Sequence, residues 1–276
     1  MNIRRLINGD AEQVLAFLNC KPLENLIAIG LIRANGLESP ENRGVFYGYF
    51  EDGCLTGVTL VGRVALLTGS REAVAAFAEV ATSNHASEVR RVLGKEAAVR
   101  EFDRKFNQGE FLCESSDHLF WVNRFQGDFA GLPFLEICRP GDFEELSVAH
   151  MDAHAEILGS VPSGRHLAEL RDRLQSRVEA GRVFVTRDSQ GIAFKADIVS
   201  DSEEGVYLEA VWTRPNLRGN GYAKSAMRAL CKELLNKYHA VCLFADAQNK
   251  RAMAFYRDTG FEPLSRFCVL QYQPGE

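Results

Sequence analysis

Several features that would direct an interpretation are missing from this sequence of 276 residues. No apolar run approaches the length of about 20 residues that a membrane-spanning helix needs. No basic cluster stands out, and the formal net charge is -5, so binding to nucleic acid or to a membrane has little support. The N-terminal residues carry charge without a following apolar segment, which predicts that there is no signal peptide.

A disulfide framework is also missing. The seven cysteines are odd in number, scattered, and contain no C-x-x-C pair. This distribution is typical of buried thiols in a reducing compartment. We therefore expect a soluble cytoplasmic protein, either a monomer or a homodimer. The cysteines are Cys20, Cys54, Cys113, Cys138, Cys231, Cys242 and Cys268.

The most informative stretch is LRGNGYA at residues 217–223. Before it, residues 206–212 have the β-branched and aromatic composition of a strand. After it, apolar residues recur with the spacing of an amphipathic helix. A helix that begins at glycines presents unpaired backbone N–H groups and a positive dipole end to an anion. The pattern indicates a turn that binds phosphate.

Two common phosphate motifs do not fit this turn. A dinucleotide-binding fingerprint needs a third glycine where Lys224 stands. A Walker A loop needs a glycine before Lys224 and Ser225, and Ala223 occupies that position. Taken alone, the two glycines are equally typical of a tight turn without a ligand.

A second motif helps to decide between a phosphate-binding turn and a tight turn without a ligand. Residues 239–247 have strand composition, and a short helix is predicted between Asn249 as its N-cap and Gly260 as its stop. The two motifs together resemble the acetyl-CoA signature and the second conserved segment of the GCN5-related N-acetyltransferases, the GNAT superfamily. The resemblance covers residues 134–276 and is carried by Arg218, Gly221, Ala223, Asn249, Ala252, Tyr256, Gly260 and Phe261.

The resemblance implies a mostly antiparallel sheet whose two central strands splay apart around the pantetheine arm of acetyl-CoA. The first of these strands would pair its backbone with the amides of the arm, and the glycine turn would hold the pyrophosphate. Asn249 would contact the arm and Tyr256 would lie near the thioester. The residues expected to bind acetyl-CoA are Val211, Trp212, Thr213, Arg218, Gly219, Asn220, Gly221, Tyr222, Ala223, Asn249 and Tyr256.

The implied reaction is direct attack of a neutral amine on the acetyl carbonyl. Tyr256 is expected to hydrogen-bond or protonate the departing thiolate; the alternative is a core aromatic that packs with Phe255 and Phe261. A backbone N–H near Val211 or Trp212 is the candidate donor to the oxyanion.

A base or a water-holding residue must also take the proton of the amine. Glu209 is the first candidate, because the resemblance places its strand beside the thioester. Strand alternation also puts it on one face with Tyr207 and Val211. Glu204 is the second candidate. Both are also typical of surface carboxylates.

Two histidines are one turn apart on a predicted helix. His150 and His154 have a spacing that can bind a metal on one helix face. No third ligand is evident, and the family that the sequence resembles uses no metal in its chemistry. We expect a solvated helix here, with contact to the acceptor as the alternative.

The remaining sequence predicts a mixed α+β (α/β) fold with two domains. The resemblance implies that residues 134–276 form a catalytic GNAT domain, residues 126–133 a linker, and residues 1–125 a degenerate GNAT-like domain without a cofactor motif. Each would be a mostly antiparallel sheet flanked by helices, with splayed central strands in the C-terminal domain. An unrelated α+β accessory domain is the alternative for the N-terminal half. Further predicted helices are 11–18, 23–34, 71–81, 96–106, 142–158 and 165–180.

The leading hypothesis is an acetyl-CoA-dependent N-acetyltransferase that acts on a primary amine of a small molecule or peptide. The alternatives are a non-catalytic acyl-CoA sensor and an acyltransferase with a different acyl group or acceptor. The expected partners are acetyl-CoA and the amine, without nucleic acid, membrane or metal.

Overall fold

A computed structural model describes residues 2–85, 88–106, 111–124, 131–158 and 164–272. Within these residues the chain forms eight α-helices and twelve β-strands. The helices are α1 (Ala11–Leu18), α2 (Leu26–Asn35), α3 (Arg71–His85), α4 (Glu96–Phe106), α5 (Phe143–Leu158), α6 (Gly164–Glu179), α7 (Tyr222–Leu234) and α8 (Lys250–Thr259). The strands are β1 (Ile3–Arg5), β2 (Gly44–Glu51), β3 (Cys54–Gly62), β4 (Val64–Gly69), β5 (Arg91–Gly94), β6 (Phe111–Val122), β7 (Glu136–Ile137), β8 (Val183–Asp188), β9 (Gly191–Ser202), β10 (Gly205–Thr213), β11 (Val241–Asp246) and β12 (Glu262–Tyr272).

The mixed α+β class predicted from the sequence is confirmed. The predicted helices 11–18 and 96–106 coincide with α1 and α4, because their apolar spacing is regular up to both ends. Strand β12, which follows residue 261, was not predicted from the sequence. Most of the predicted linker at 126–133 lies outside the described residues.

The chain divides into two compact units that do not follow a single boundary. The first contains Met1–Phe120, Phe244–Met253 and Pro263–Glu276, and the second contains Trp121–Leu243 and Ala254–Glu262. The domain limits at residues 125 and 134 therefore stay a prediction. The first compact unit also contains the later segments Phe244–Met253 and Pro263–Glu276.

In the first unit, β1 to β4 form an antiparallel series, β5 pairs parallel with β4, and β12 pairs antiparallel with β5. Helices cover this sheet on both faces, which gives two apolar clusters. One cluster joins α1 and α2 to the sheet through Val14, Ile29 and Phe46. The other joins α3 and α4 to it through Phe77 and Phe102. This is the helix–sheet–helix layering of an α+β domain.

In the second unit, the strand order is β11-β10-β9-β8-β7. The β7 to β10 pairs are antiparallel, and β10 pairs parallel with β11. Helices α5 and α6 pack on β8 and β9 through Leu146, Leu174 and Val185, and Trp212 of β10 belongs to the same cluster. Helix α7 buries an apolar stripe that includes Met227 and Leu230. Among the described residues, none of the helices combines the length and the apolar character needed to cross a membrane.

Candidate functional site

Strand β10 keeps only one of its two neighbours along its whole length. Its parallel pairing with β11 is registered from Val206 to Leu208, whereas its pairing with β9 continues to Thr213. The backbone of residues 209–213 therefore has an edge that β11 does not cover in the described register. An uncovered strand edge presents N–H and C=O groups that can pair with an extended chain.

A bulge interrupts β10 between Glu209 and Trp212. Glu209 lies opposite Asp197 and Trp212 lies opposite Lys195, so β10 has one more residue than β9 over this interval. Ala210 adopts a positive φ of 49°. Residues other than glycine rarely adopt this conformation, because their Cβ approaches the following carbonyl oxygen. A bulge of this kind re-aims the groups of its strand.

The bulge corrects one expectation about Glu209. Alternation along β10 predicted that Glu209 shares a face with Val211. The register instead places Trp212 in step with Glu209, on the face of Lys195 and Asp197. The reason is the additional residue at the bulge, which shifts the alternation by one position.

The glycine turn leads from β10 into α7 and is open. Gly219 and Gly221 have φ values of 81° and 88°. No described atom lies within 4 Å of a Cβ built on either glycine. Helix α7 begins at Tyr222, whose hydroxyl hydrogen-bonds the hydroxyl of Thr186 on β8 at 2.8 Å. The turn therefore combines a helix N-terminus with open space beside its backbone, as a phosphate-binding turn requires.

The side chains of the turn brace the loop. Arg218 donates through Nε to the carbonyl oxygen of Thr213 at 2.7 Å and pairs with Glu156 at 2.7 Å. Asn220 Oδ1 accepts the backbone N–H of Tyr222 at 3.1 Å. The expected charge of Arg218 is thus already engaged, which leaves the backbone as the main donor to an anion.

The corresponding turn of the first unit is closed. A Cβ on Gly69 would lie 2.7 Å from Cα of Gly57, and a Cβ on Gly57 would lie 2.5 Å from Cβ of Ala73. Ser70 Oγ accepts the backbone N–H of Ala73 at 3.2 Å, so one donor at the start of α3 is already occupied. These glycines serve close packing of strand and helix, whereas Gly219 and Gly221 border open space.

Tyr256 lies on α8 and is 9 % exposed. Its ring meets those of Phe255 and Phe261 at centroid distances of 5.1 and 5.8 Å, so the contacts of the core-aromatic alternative are present. Burial raises the pKa of the Tyr256 phenol, which keeps the hydroxyl protonated. The side chain therefore packs among aromatic rings, and its hydroxyl stays protonated.

Asn249 is confirmed as the N-cap of α8. Its Oδ1 accepts the backbone N–H of Ala252 at 3.0 Å, and Gly260 follows the helix with a φ of 107°. Asn249 belongs to the first compact unit. Its proposed contact with the pantetheine arm stays a prediction.

Glu209 has a partner on α6. Its side chain is 40 % exposed, and its Oε2 lies 3.6 Å from Nη2 of Arg177. The runner-up Glu204 lies in the turn between β9 and β10 and pairs at 3.5 Å with the exposed His239. Glu209 alone of the two adjoins the bulge.

A buried charge cluster lies on the same face of the sheet as Glu209. Lys195 and Asp197 are 0 % exposed, and Lys195 Nζ donates to Asp197 Oδ1 at 2.6 Å. The same Nζ donates to the carbonyl oxygen of Ala210 at 3.1 Å and to His150 Nδ1 at 3.2 Å. Arg177 Nη1 donates to Asp197 Oδ2 at 3.1 Å. We call these four residues, Lys195, Asp197, Arg177 and His150, the buried charge cluster.

The protonation states in this cluster follow from burial and charge. Burial lowers the pKa of Lys195, and the Asp197 carboxylate opposes that effect. Burial favours protonated Asp197, but the positive charges of Lys195 and Arg177 outweigh it and hold the pKa of the carboxyl below its usual range. Burial and the Lys195 charge lower the pKa of His150 to about 2. His150 is therefore neutral and accepts from Lys195 through Nδ1.

The expectation that His150 and His154 lie on a solvated face is wrong for His150. His150 is 1 % exposed, and its ring centroid lies 4.6 Å from that of His154. The sequence carries a signal for this cluster in strand β9. Lys195 and Asp197 are two positions apart in an otherwise apolar strand, and such charges on a buried face need partners. Within the described residues, no three His, Cys, Asp or Glu side chains are grouped as metal ligands would be.

Comparison with known proteins supplies an independent view of the fold. A model of the acetyltransferase (GNAT) family matches residues 135–261. A search of curated proteins gave no significant match. A solved Drosophila protein superposes with a TM-score of 0.67 at 11 % identity, over 100 % of this chain and 99 % of its own. A GNAT-family acetyltransferase from Colwellia psychrerythraea superposes with a TM-score of 0.62 at 13 % sequence identity, over 99 % of this chain and 100 % of its own. A tandem GNAT protein from the clavulanic acid biosynthesis pathway gives 0.57 at 12 %, over 99 % of both chains. These identities show likeness of fold.

The neutral histidines predict how stability depends on pH. Burial lowers the pKa of His150 to about 2 and that of His154 to about 4, below the ordinary value of 6.5. Between pH about 6.5 and about 4 the unfolded chain therefore binds protons that the folded protein does not, and stability falls as the pH falls. Each such proton contributes a slope of about 1.4 kcal/mol per pH unit.

We expect the free energy of unfolding of His150→Gln, measured in urea from pH 7 to 4.5, to fall less steeply than that of the wild type. Equal slopes for wild type and His150→Gln would show that His150 titrates normally in the folded protein.

Proposed function

We propose an acetyl-CoA-dependent N-acetyltransferase, because residues 135–261 match a model of the acetyltransferase (GNAT) family and a solved tandem GNAT protein superposes on 99 % of the chain. It would transfer the acetyl group to a primary amine of a small molecule or a peptide. The observation that carries the proposal is the open glycine turn at Gly219 and Gly221, at the end of a strand whose edge is uncovered.

The residues present fit the donor. The backbone N–H groups of Arg218 to Ala223 would hold the pyrophosphate, since the space that a Cβ would enter at both glycines is open. The uncovered backbone of Val211, Trp212 and Thr213 would pair with the amides of the pantetheine arm. Acetyl-CoA supplies an acetyl group activated as a thioester.

The chain's own groups would manage the protons and the charge. The amine nitrogen forms a bond to the acetyl carbon as the bond from that carbon to sulfur breaks. Glu209, directly or through a water molecule, would take the proton of the amine. A backbone N–H after the bulge, at Val211 or Trp212, would stabilise the oxyanion. The buried hydroxyl of Tyr256 would donate its proton or a hydrogen bond to the departing thiolate.

The alternatives give different outcomes. An acyl-CoA sensor would bind acetyl-CoA without turnover on any amine, and an acyltransferase of other specificity would turn over with another acyl donor or acceptor. A cytoplasmic location remains a proposal, supported by the six cysteines whose side chains are described, all of which are free thiols.

The first prediction concerns binding. A saturating amount of acetyl-CoA, at 100 times its Kd, should stabilise the protein by about 2.7 kcal/mol and raise Tm in a thermal-shift measurement. Gly221→Ala should weaken binding about tenfold or more, because alanine strains at a φ of 88° and its Cβ enters the phosphate space. Gly141→Ala is the control, since its Cβ also meets no described atom and Gly141 has no positive φ. An unchanged Tm with acetyl-CoA and with CoA would contradict the proposal.

The second prediction concerns the leaving group. Tyr256→Phe should leave the Kd of acetyl-CoA within about threefold and lower kcat about 10²- to 10⁴-fold, the usual range for a lost general acid. Release of free CoA on a panel of amines measures this. Tyr238→Phe is the control, because it removes another buried hydroxyl that bonds Asp201. Equal kcat for Tyr256→Phe and wild type would leave Tyr256 as a packing residue.

The third prediction concerns the base. Glu209→Gln should lower kcat/KM at neutral pH, and the loss should shrink at high pH, where the amine is already neutral. Glu204→Gln is the matched control and should behave as the wild type. A loss confined to Glu204→Gln would reverse the assignment, and no loss in either variant would exclude both carboxylates.

A further inference from the structure

The bulge of β10 needs an explanation, because Ala210 holds a backbone conformation that alanine disfavours. Its φ is 49°, and a strained residue of this kind persists only where its surroundings enforce it. The residue added at a bulge also has no partner in the ladder, so its backbone groups need another one. A group that contacts the backbone of Ala210 could meet both requirements.

The contact is Lys195. Its Nζ is fully buried and lies 3.1 Å from the carbonyl oxygen of Ala210. An ammonium group has three donors, and here they reach Ala210, Asp197 and His150. A pair of opposite charges would be complete without the bond to Ala210. That third bond ties a buried side chain of β9 to the strained peptide of β10.

The same cluster reaches the carboxylate on the other side of the bulge. Asp197 accepts from Lys195 at one oxygen and from Arg177 at the other. Arg177 also lies 3.6 Å from Glu209. Asp197 thus connects the group that holds the carbonyl of Ala210 to the group that holds the side chain of Glu209.

We propose that Lys195 is a positioning residue, which holds the β10 bulge at Ala210 and, through Asp197 and Arg177, the carboxylate of Glu209. The proposal rests on the proposed acetyl transfer, since it concerns the backbone and carboxylate assigned to that reaction. Lys195 itself is 0 % exposed and would act without contact to either substrate. It acts by keeping the uncovered end of β10 in one conformation.

The test removes the charge pair together, because Lys195→Met alone would leave Asp197 buried with one cation fewer. In Lys195→Met/Asp197→Asn, kcat should fall about 10- to 100-fold with the Kd of acetyl-CoA within about threefold, since misplacement of reacting groups by about 1 Å costs about that much. Adding Ala210→Gly should restore at least tenfold of a 100-fold loss, because glycine adopts a positive φ without strain.

The matched control is Arg182→Met/Asp201→Asn, which removes another ion pair of β9. It should leave kcat within about threefold and gain nothing from Ala210→Gly. A folded Lys195→Met/Asp197→Asn protein with wild-type kcat would overturn the proposal. A loss that Ala210→Gly does not relieve would overturn it as well. Should this double variant not fold, Lys195→Arg, which keeps the charge, replaces it in the test. Its kcat should fall and should be restored by adding Ala210→Gly.

A second readout separates this proposal from the proposed function. Hydrogen exchange of the peptide that spans residues 205–213 needs no turnover. It should be faster in Lys195→Met/Asp197→Asn than in the wild type and in the Arg182→Met/Asp201→Asn control. If the wild type acetylates no amine, the proposed function fails. The hydrogen-exchange measurement still tests the role of Lys195 in that case. Unchanged exchange would overturn that role.

Discussion

The registered pairing of β10 with β11 ends at Leu208, and the way in which β10 is held beyond this residue is the constraint on which the rest of the second unit depends. Backbone groups that lose a ladder partner must find another partner or water, and a buried group without one costs about 1–3 kcal/mol. An open edge therefore persists only where the strand is held from its other side. Strand β9 does this as far as Thr213, and the buried charge cluster adds a bond to Ala210. The unpaired edge of β10 therefore depends on β9 and on the buried charge cluster.

Glycine serves opposite purposes in the two units. At Gly57 and Gly69, the missing Cβ lets a strand and a helix pack so closely that any side chain would overlap Ala73 or the neighbouring strand. At Gly219 and Gly221, the missing Cβ leaves space that no described atom fills. A glycine count does not separate these cases. The separation favours the second unit as the place of donor binding and supports the view of the N-terminal half as a domain without that function.

The sequence was sufficient for elements whose signal is local. Helices α1 and α4 were placed to the residue by their apolar spacing, and Asn249 was recognised as a cap by its type and position. Strand β12 was missed because it begins with Glu262, Pro263 and other exposed residues that are not typical of a strand, and its pairing with β5, which lies 174 to 180 residues earlier, has no local signal. The bulge at Ala210 was equally hidden. A glycine there would have signalled a positive φ, whereas an alanine gives no warning.

Magnitudes explain how an alanine can hold that position. A left-handed alanine costs about 1–2 kcal/mol, and a hydrogen bond to a charged donor contributes about 1.5–3 kcal/mol. The single bond from Lys195 to Ala210 is therefore enough to offset the strain. A glycine would avoid the strain, but its greater freedom in the unfolded chain would cost about 0.5–1 kcal/mol of stability. Alanine under a buried ammonium defines one conformation of the strand end, which a reaction that depends on the placement of a backbone N–H requires.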